Sequence, residues 1–304
     1  MTWQLWRIIR YPEWQHPIFQ YGRRLRDKDD TDTRIRRVII GIAIVFLVIL
    51  TILFPIPVFP SLIGLIIAIP ILLVIFHGTL LGAIWVTNIA ISLMMMQNSN
   101  RYDLMRVTTL SSIGIAWQFA LGVIYRHDWL RRVNRVVRWV ATLILVALIP
   151  ATLLLLFSIA RGNNTLLQVQ QWNILRDLLT MSVIVIFFWL DHMQSIIVAF
   201  LWGLLSPTFI HDRSLARVLM PTLYCILQIG TYLVSVIIYL LIRAIIGVLL
   251  GSTFIGFISS LLLGLLSFFI IREAILSLLV RLLILRYESS VSGFQHLLRM
   301  SPEL

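Results

Sequence analysis

Long apolar segments, separated by short polar stretches, follow one another along most of the chain. Each is rich in Leu, Ile, Val and Phe and reaches the roughly 18–20 residues needed to cross about 30 Å of hydrocarbon. Strands of a transmembrane barrel would instead alternate apolar and polar residues over about ten positions. The pattern predicts an all-α polytopic membrane protein with about six transmembrane helices. These cover approximately residues 38–58, 61–96, 139–160, 177–203, 219–242 and 252–271.

The second apolar segment, residues 61–96, is too long for a simple crossing. As one straight helix it would extend about 54 Å at about 1.5 Å per residue. A hairpin of two short legs would fit this length, but it would place the arginines of 101–138 outside, against the positive-inside rule. We therefore expect one crossing that is kinked at Pro70 or at His77-Gly78.

Amphipathic segments predict interfacial helices on the cytoplasmic side. Residues 1–37 contain nine basic residues and a Trp-rich stretch that Pro12 and Pro17 keep short. Residues 107–125 are long enough to span, yet they are polar and flanked by arginines, which favours an interfacial or re-entrant helix. Residues 126–140 place apolar and basic side chains on opposite arcs of a helix, which is typical of a helix at a headgroup surface.

These elements predict five parts of the chain. They are a cytoplasmic interfacial segment (1–37), the first two spans (38–96), basic interfacial helices (97–138), the remaining spans with an inner-face helix at 274–286 (139–286), and a cytoplasmic tail (287–304). Because basic residues are concentrated on one side, we expect a multi-pass protein of the cell membrane with both termini in the cytoplasm. Only Arg161, Arg176 and Arg243 would then lie outside.

Composition limits the chemistry. The net charge is +12, but the arginines lie mostly at the ends of apolar runs, which indicates contacts with anionic lipid headgroups rather than with nucleic acid. Lys28 is the single lysine and follows no Gly-rich turn, so the chain has no Walker A loop for ATP. Cys225 is the single cysteine, which excludes an intrachain disulfide.

Asp191 and His192 are the costliest residues in an apolar run, because ionisable groups at membrane depth tend to face a cavity or a partner. One interpretation is a proton or substrate contact. We favour the other, in which both reach the headgroups from the cytoplasmic end of a tilted helix. Neighbours on a helix point about 100° apart, so the two do not form a bidentate site.

Other motifs for chemistry are weak. His127-Asp128 and His211-Asp212 lack metal-ligand spacing, and neither an HExxH motif nor a G-x-S-x-G elbow occurs. We therefore expect no catalytic residue, metal or cofactor in this chain. The GxxxG pattern of Gly247 and Gly251 is interpreted as a contact between helices of the same chain.

Two stretches give the chain a family resemblance. Residues 102–111 read Tyr-Asp-Leu-Met-Arg-Val-Thr-Thr-Leu-Ser, and residues 16–26 begin His-Pro-Ile-Phe and end Gly-Arg-Arg-Leu-Arg. Over its first half the chain resembles the membrane permease subunits of type 2 ABC exporters, many of which carry "Asp-Leu-Leu, two apolar, Thr-Pro-Leu-Ser" after the second span. Thr109 stands where the family often has Pro, and the Gly-Lys that commonly follows is absent.

The resemblance implies a division of labour in which this chain is not itself an enzyme. Residues 98–112 would fit a groove on a separate cytoplasmic ATPase, and a homodimer or a second permease subunit would complete the transporter. The coupling contacts would come from Arg101, Asp103, Leu104 and Arg106. Two alternatives remain open: a non-transporting scaffold subunit of a larger membrane complex, and a membrane-embedded enzyme built around Asp191-His192.

Overall fold

The structure, a computed structural model, describes residues 1–24, 77–98, 111–126, 165–210, 212–251 and 253–287, with individual positions between 135 and 157. Every regular element in these residues is helical, as the apolar runs predict. The predicted first crossing and the four coupling residues lie outside the described residues. The helices are α1 (Thr2–Arg10), α2 (Pro17–Arg24), α3 (His77–Gln97), α4 (Ser112–Arg126), α5 (Thr165–Leu205), α6 (Arg213–Leu250) and α7 (Phe254–Arg286), with a 3₁₀ turn at Ser206–Thr208.

Four of the described helices are long and apolar enough to cross a membrane. They are α3 from Gly78 to Gln97, the segment Ile174–Thr208, which contains most of α5, and the whole of α6 and of α7. In the most apolar stretch of α3, 89% of the residues are buried inside the protein, whereas the share is only 11% in α6 and 17% in α7. Helices α6 and α7 thus present apolar side chains outward, which fits a membrane-embedded protein because lipid solvates such side chains.

The described positions between 135 and 157 are helical as well. Large apolar side chains are exposed there at intervals of three or four residues, which is the spacing of one helix face. This agrees with a helix in the predicted third crossing. The exposed side chains are Trp139, Leu143, Val146, Ile149, Leu153 and Phe157.

The helices belong to two compact units. Unit 1 contains residues 1–128, 192–229 and 273–304, and unit 2 contains residues 129–191 and 230–272. Since α5, α6 and α7 each contribute residues to both units, the division falls within these helices rather than in loops.

A close helix crossing organises the N-terminal part of unit 1. Helix α2 packs on α4, and Gly22 and Gly122 lie at the crossing, where a side chain on either would collide with the backbone of the other helix. Helix α4 is buried on all its faces from Ile113 to Ile124, including Trp117. Helix α4 therefore exposes no face between Ile113 and Ile124, and the interfacial or re-entrant location of 107–125 stays a prediction.

Unit 1 is closed by contacts between distant parts of the chain. Tyr224 Oη donates a hydrogen bond to Ser195 O at 3.0 Å, and Tyr287 Oη donates one to Leu204 O at 3.0 Å. Helix α1 ends at Arg10, close to the Pro12 that predicts its short length. The side chains of Leu5 and Ile9 are buried, whereas Trp3 is exposed.

The structure settles three details that the sequence pattern left open or placed differently. The sixth span and the inner-face helix are one helix, α7, since the polar pair Arg272-Glu273 lies within it. The predicted outer loop 161–172 is helical from Thr165 onward. A Cβ added at Gly247 or Gly251 would meet no described atom within 4 Å, so neither position needs glycine for a close helix contact. Gly251, at φ +62°, directly follows the end of α6. This glycine thus serves as a helix C-terminus, where a left-handed residue is common.

Candidate functional site

A buried ion pair joins two helices of unit 2. The guanidinium Nη2 of Arg272, in α7, lies 2.5 Å from Oδ1 of Asp191, in α5. Both side chains are only 1% exposed. Asp191 is the midpoint of the apolar segment Ile174–Thr208, and Arg272 lies in the middle of α7. The pair is therefore far from both ends of each helix.

A third helix completes this charged cluster. Tyr232, in the middle of α6, donates a hydrogen bond from its hydroxyl to Asp191 Oδ2 at 2.8 Å. The two carboxylate oxygens thus accept from different helices, one from Arg272 and one from Tyr232. We call Asp191, Tyr232 and Arg272 the central triad.

Aromatic rings cover the cation of the triad. Arg272 Cζ lies 5.1 Å from the ring centroid of Tyr232 and 5.2 Å from that of Phe268. The two rings are nearly parallel, with an interplanar angle of 2°. The negative face of an aromatic ring attracts a cation, and this attraction is stronger where water is excluded. The rings therefore offset part of the free energy lost when the guanidinium leaves water.

The structure corrects the favoured interpretation of Asp191 and His192. Both side chains are 1% exposed, so neither reaches the headgroups. Asp191 instead contacts Arg272 and Tyr232 inside unit 2. In unit 1, His192 lies against Gly78, where a side chain would come within 2.8 Å of the His192 backbone.

Sequence reasoning missed Arg272 and Tyr232. The predicted sixth span ends at residue 271, directly before Arg272, because an arginine after an apolar run commonly marks the end of a span. The signal available was charge balance: an acidic residue inside one apolar run calls for a basic residue inside another. A single sequence does not say which arginine that is.

A second polar cluster lies in unit 1 at the start of α1. The backbone N–H of Thr2 donates to Glu273 Oε1 at 3.2 Å, and the Thr2 hydroxyl also contacts the Glu273 carboxylate. The amino group of Met1 lies 2.9 Å from Glu273 Oε1, and Gln194 Nε2 lies 3.4 Å from the Thr2 hydroxyl. These bonds attach the first turn of α1 to α5 and α7.

Metal ligands do not assemble in the described part of the chain, which holds no group of three His, Cys, Asp or Glu side chains. Asp212 lies at the first turn of α6, where its carboxylate accepts hydrogen bonds from the N–H and hydroxyl of Ser214 at 2.8 and 2.9 Å. The Ser214 hydroxyl first, and then its N–H, hold the pKa of Asp212 below its ordinary value. This carboxylate acts as a helix cap.

Two cavities occur in unit 2. The larger, of about 520 Å³, contains two arginines, Arg176 of α5 and Arg243 of α6, beside the first turn of α7. The smaller, of about 290 Å³, is an apolar groove whose lining includes Phe187, Tyr232 and Phe268. The rings of Tyr232 and Phe268 thus separate this groove from the guanidinium of Arg272.

No protein-family model, curated protein or solved structure matches this chain. Function is therefore argued from the central triad, the cavities and the sequence pattern.

Proposed function

We propose that this protein is the membrane-spanning permease subunit of an ATP-driven exporter, coupled to a separate cytoplasmic ATPase. The observation that carries the proposal is the central triad, an ion pair buried in the middle of three apolar helices. Ionisable residues inside such helices are costly, and they most often lie on the path of a substrate or ion. In an exporter, the triad joins the three helices in one state and exchanges partners when they move.

The coupling element of the proposal is residues 98–112. Arg101, Asp103 and Arg106 would contact the ATPase through polar bonds, and Leu104 would enter an apolar part of its groove. The resemblance to type 2 exporter permeases and the missing Walker A loop support this arrangement. Two copies of the chain, or this chain and a second permease subunit, would form the transport path.

The membrane arrangement proposed is six crossings of the cell membrane with both termini in the cytoplasm. It combines the four membrane-length helices with the apolar runs 38–58 and 139–160. The positive-inside rule supports the orientation, because the basic segments 1–37 and 97–138 then share the cytoplasmic side.

Co-purification tests the partner. The full-length protein is extracted in mild detergent, its partners are identified by mass spectrometry, and ATP hydrolysis is assayed in the eluate. We expect a Walker-motif ATPase with the unmodified protein and its loss with the double variant Arg101→Glu, Arg106→Glu. Arg213→Glu with Arg281→Glu is a control that changes two exposed arginines elsewhere. Retention of the ATPase by the first variant would count against the coupling element.

The second candidate is a non-transporting scaffold subunit. The observation that favours it is the deep burial of the central triad, since an ion pair whose side chains are only 1% exposed also suits a fixed clamp between helices. The double variant Asp191→Asn, Arg272→Gln separates the two functions, because it leaves no buried net charge. A scaffold variant keeps its partners and their activity, whereas an exporter variant keeps its ATPase but loses substrate-dependent ATP hydrolysis.

A further inference from the structure

The larger cavity of unit 2 concentrates positive charge. Arg176 and Arg243 line it from α5 and α6, and both side chains are exposed to it rather than withdrawn into the protein. No acidic residue is among the described residues that line it. Neither arginine forms an ion pair with another described residue, and Arg176 lies over the ring of Phe257 at 4.5 Å. The cavity thus offers two uncompensated guanidinium groups to an anion.

The first turn of α7 adds to this field. The hydroxyl of Thr253 accepts a hydrogen bond from the N–H of Gly256 at 3.1 Å, which caps the helix. The remaining N–H groups of that turn carry the partial positive charge of a helix N-terminus. Gly247 and Gly251 also line the cavity and leave open space within 4 Å, so a bulky headgroup has room there.

The apolar groove continues from this cavity along the same three helices. On α7 the cavity ends at Ser260 and the groove begins at Leu261. On α6, which runs in the opposite direction, the groove ends at Tyr239 and the cavity begins at Arg243. On α5 the last cavity residue is Arg176 and the first groove residue is Val183. From Phe254 to Phe268 the combined site extends about 20 Å along α7, more than the roughly 15 Å depth of one bilayer leaflet.

The arginines lie at one end of the combined site and the apolar groove forms the other, and this arrangement determines which ligand fits. A free phosphate would use only the arginines, and a neutral lipid would leave both guanidinium groups without a counter-charge. An anionic phospholipid satisfies both parts, since its phosphate and headgroup meet the arginines while one acyl chain buries apolar surface in the groove. Its chain would end against the rings of Tyr232 and Phe268, which cover Arg272 of the central triad.

We propose that the Arg176/Arg243 cavity and the adjoining groove together bind one anionic phospholipid, with its phosphate at the arginines and one acyl chain between α5, α6 and α7. This site is independent of whether the protein is an exporter or a scaffold.

Native mass spectrometry of the full-length protein in detergent tests the site. Phosphatidylglycerol and phosphatidylcholine of identical acyl chains are titrated separately, and bound lipid is counted. We expect one phosphatidylglycerol to bind at least tenfold more tightly than phosphatidylcholine. Arg176→Gln with Arg243→Gln should reduce this preference to about twofold or less, whereas the charge-matched control Arg213→Gln with Arg281→Gln should keep it.

Two further arms distinguish the parts of the ligand. Ile184→Trp narrows the mouth of the groove from an exposed position and should weaken both lipids without changing the arginines. Inorganic phosphate at millimolar concentration should not displace the lipid. Displacement by phosphate would overturn the lipid assignment in favour of a free-anion site. Equal loss of preference in the control variant would show nonspecific charge attraction, and it would also overturn the proposal.

Thermal unfolding of each variant identifies any variant that fails to fold. If the Gln pair fails, Arg176→Lys with Arg243→Lys replaces it. This pair keeps both charges but loses the bidentate contact of each guanidinium with phosphate, so we expect a weaker preference for phosphatidylglycerol.

Discussion

The guanidinium of Arg272 reaches the carboxylate of Asp191 across 81 positions of sequence, from the middle of one apolar helix to the middle of another. At 2.5 Å, and with both side chains 1% exposed, each group depends on the other for its counter-charge. The energetic consequence is asymmetric. Removing one partner leaves an uncompensated buried charge, whereas removing both leaves none.

The first prediction concerns this asymmetry. Asp191→Asn alone or Arg272→Gln alone should lower the free energy of unfolding by about 3–5 kcal/mol, because one buried charge is then unpaired. The double variant should lose clearly less than the sum of the two single losses. Thermal or denaturant unfolding in detergent measures all three. Additive losses would mean that the two groups do not stabilise each other.

The second prediction isolates the hydroxyl of Tyr232. Tyr232→Phe removes its hydrogen bond to Asp191 and should lower the free energy of unfolding by roughly 1.5–3 kcal/mol, the range for a bond to a charged group. Tyr239→Phe is the matched control on the same helix, since the structure describes no hydrogen bond of its hydroxyl. A similar loss in both variants would assign the effect to the ring environment instead.

The third prediction concerns the contact between Gly264 of α7 and Tyr239 of α6. A side-chain methyl group at position 264 would lie 2.5 Å from Tyr239 Cδ2. Gly264→Ala should therefore destabilise the protein by roughly 1–3 kcal/mol, despite the better helix propensity of Ala. Gly230→Ala is the control, because no atom lies within 4 Å of its added methyl group. It should leave the melting temperature unchanged or raise it, and a matching drop would contradict the contact.

These contacts show how far the sequence alone could predict the structure. The apolar runs identify helices because their length and composition suit no other regular element in a bilayer. They do not identify helix ends, since Arg272-Glu273 has the pattern of an interface while lying inside α7. The burial of Arg272 depends on Asp191 and Tyr232, which are distant in sequence. Asp191 itself could be recognised, because a carboxylate in an apolar run is conspicuous without any partner being known.

The fourth prediction uses the pH dependence of the α6 cap. Hydrogen bonds from Ser214 lower the pKa of Asp212 below its ordinary 3.8. The carboxylate therefore stabilises the first turn of α6 fully above about pH 4, and its contribution declines as the pH falls below 3.8 through the folded-state pKa. Hydrogen exchange of the amides at 213–217, corrected for intrinsic rates, should show this loss of protection between neutral pH and pH 3.

The control for this cap is Asp212→Ser, which keeps a capping oxygen that does not titrate. Its protection should stay constant between neutral pH and pH 3, whereas Asp212→Ala should show low protection at both. If the Ser variant loses protection on acidification to the same extent as the unmodified protein, another group controls the pH response.

The hydrogen bonds between Thr2 and Glu273 connect positions 271 residues apart. A ribosome must therefore synthesise every residue from Thr2 to Glu273 before the first turn of α1 can make these bonds. The apolar side chains of Leu5 and Ile9, which are buried in the finished protein, lie on the same helix. Helix α1 is thus made long before its contacts with α7 become available, so its apolar side chains need protection from aggregation until Glu273 has been synthesised.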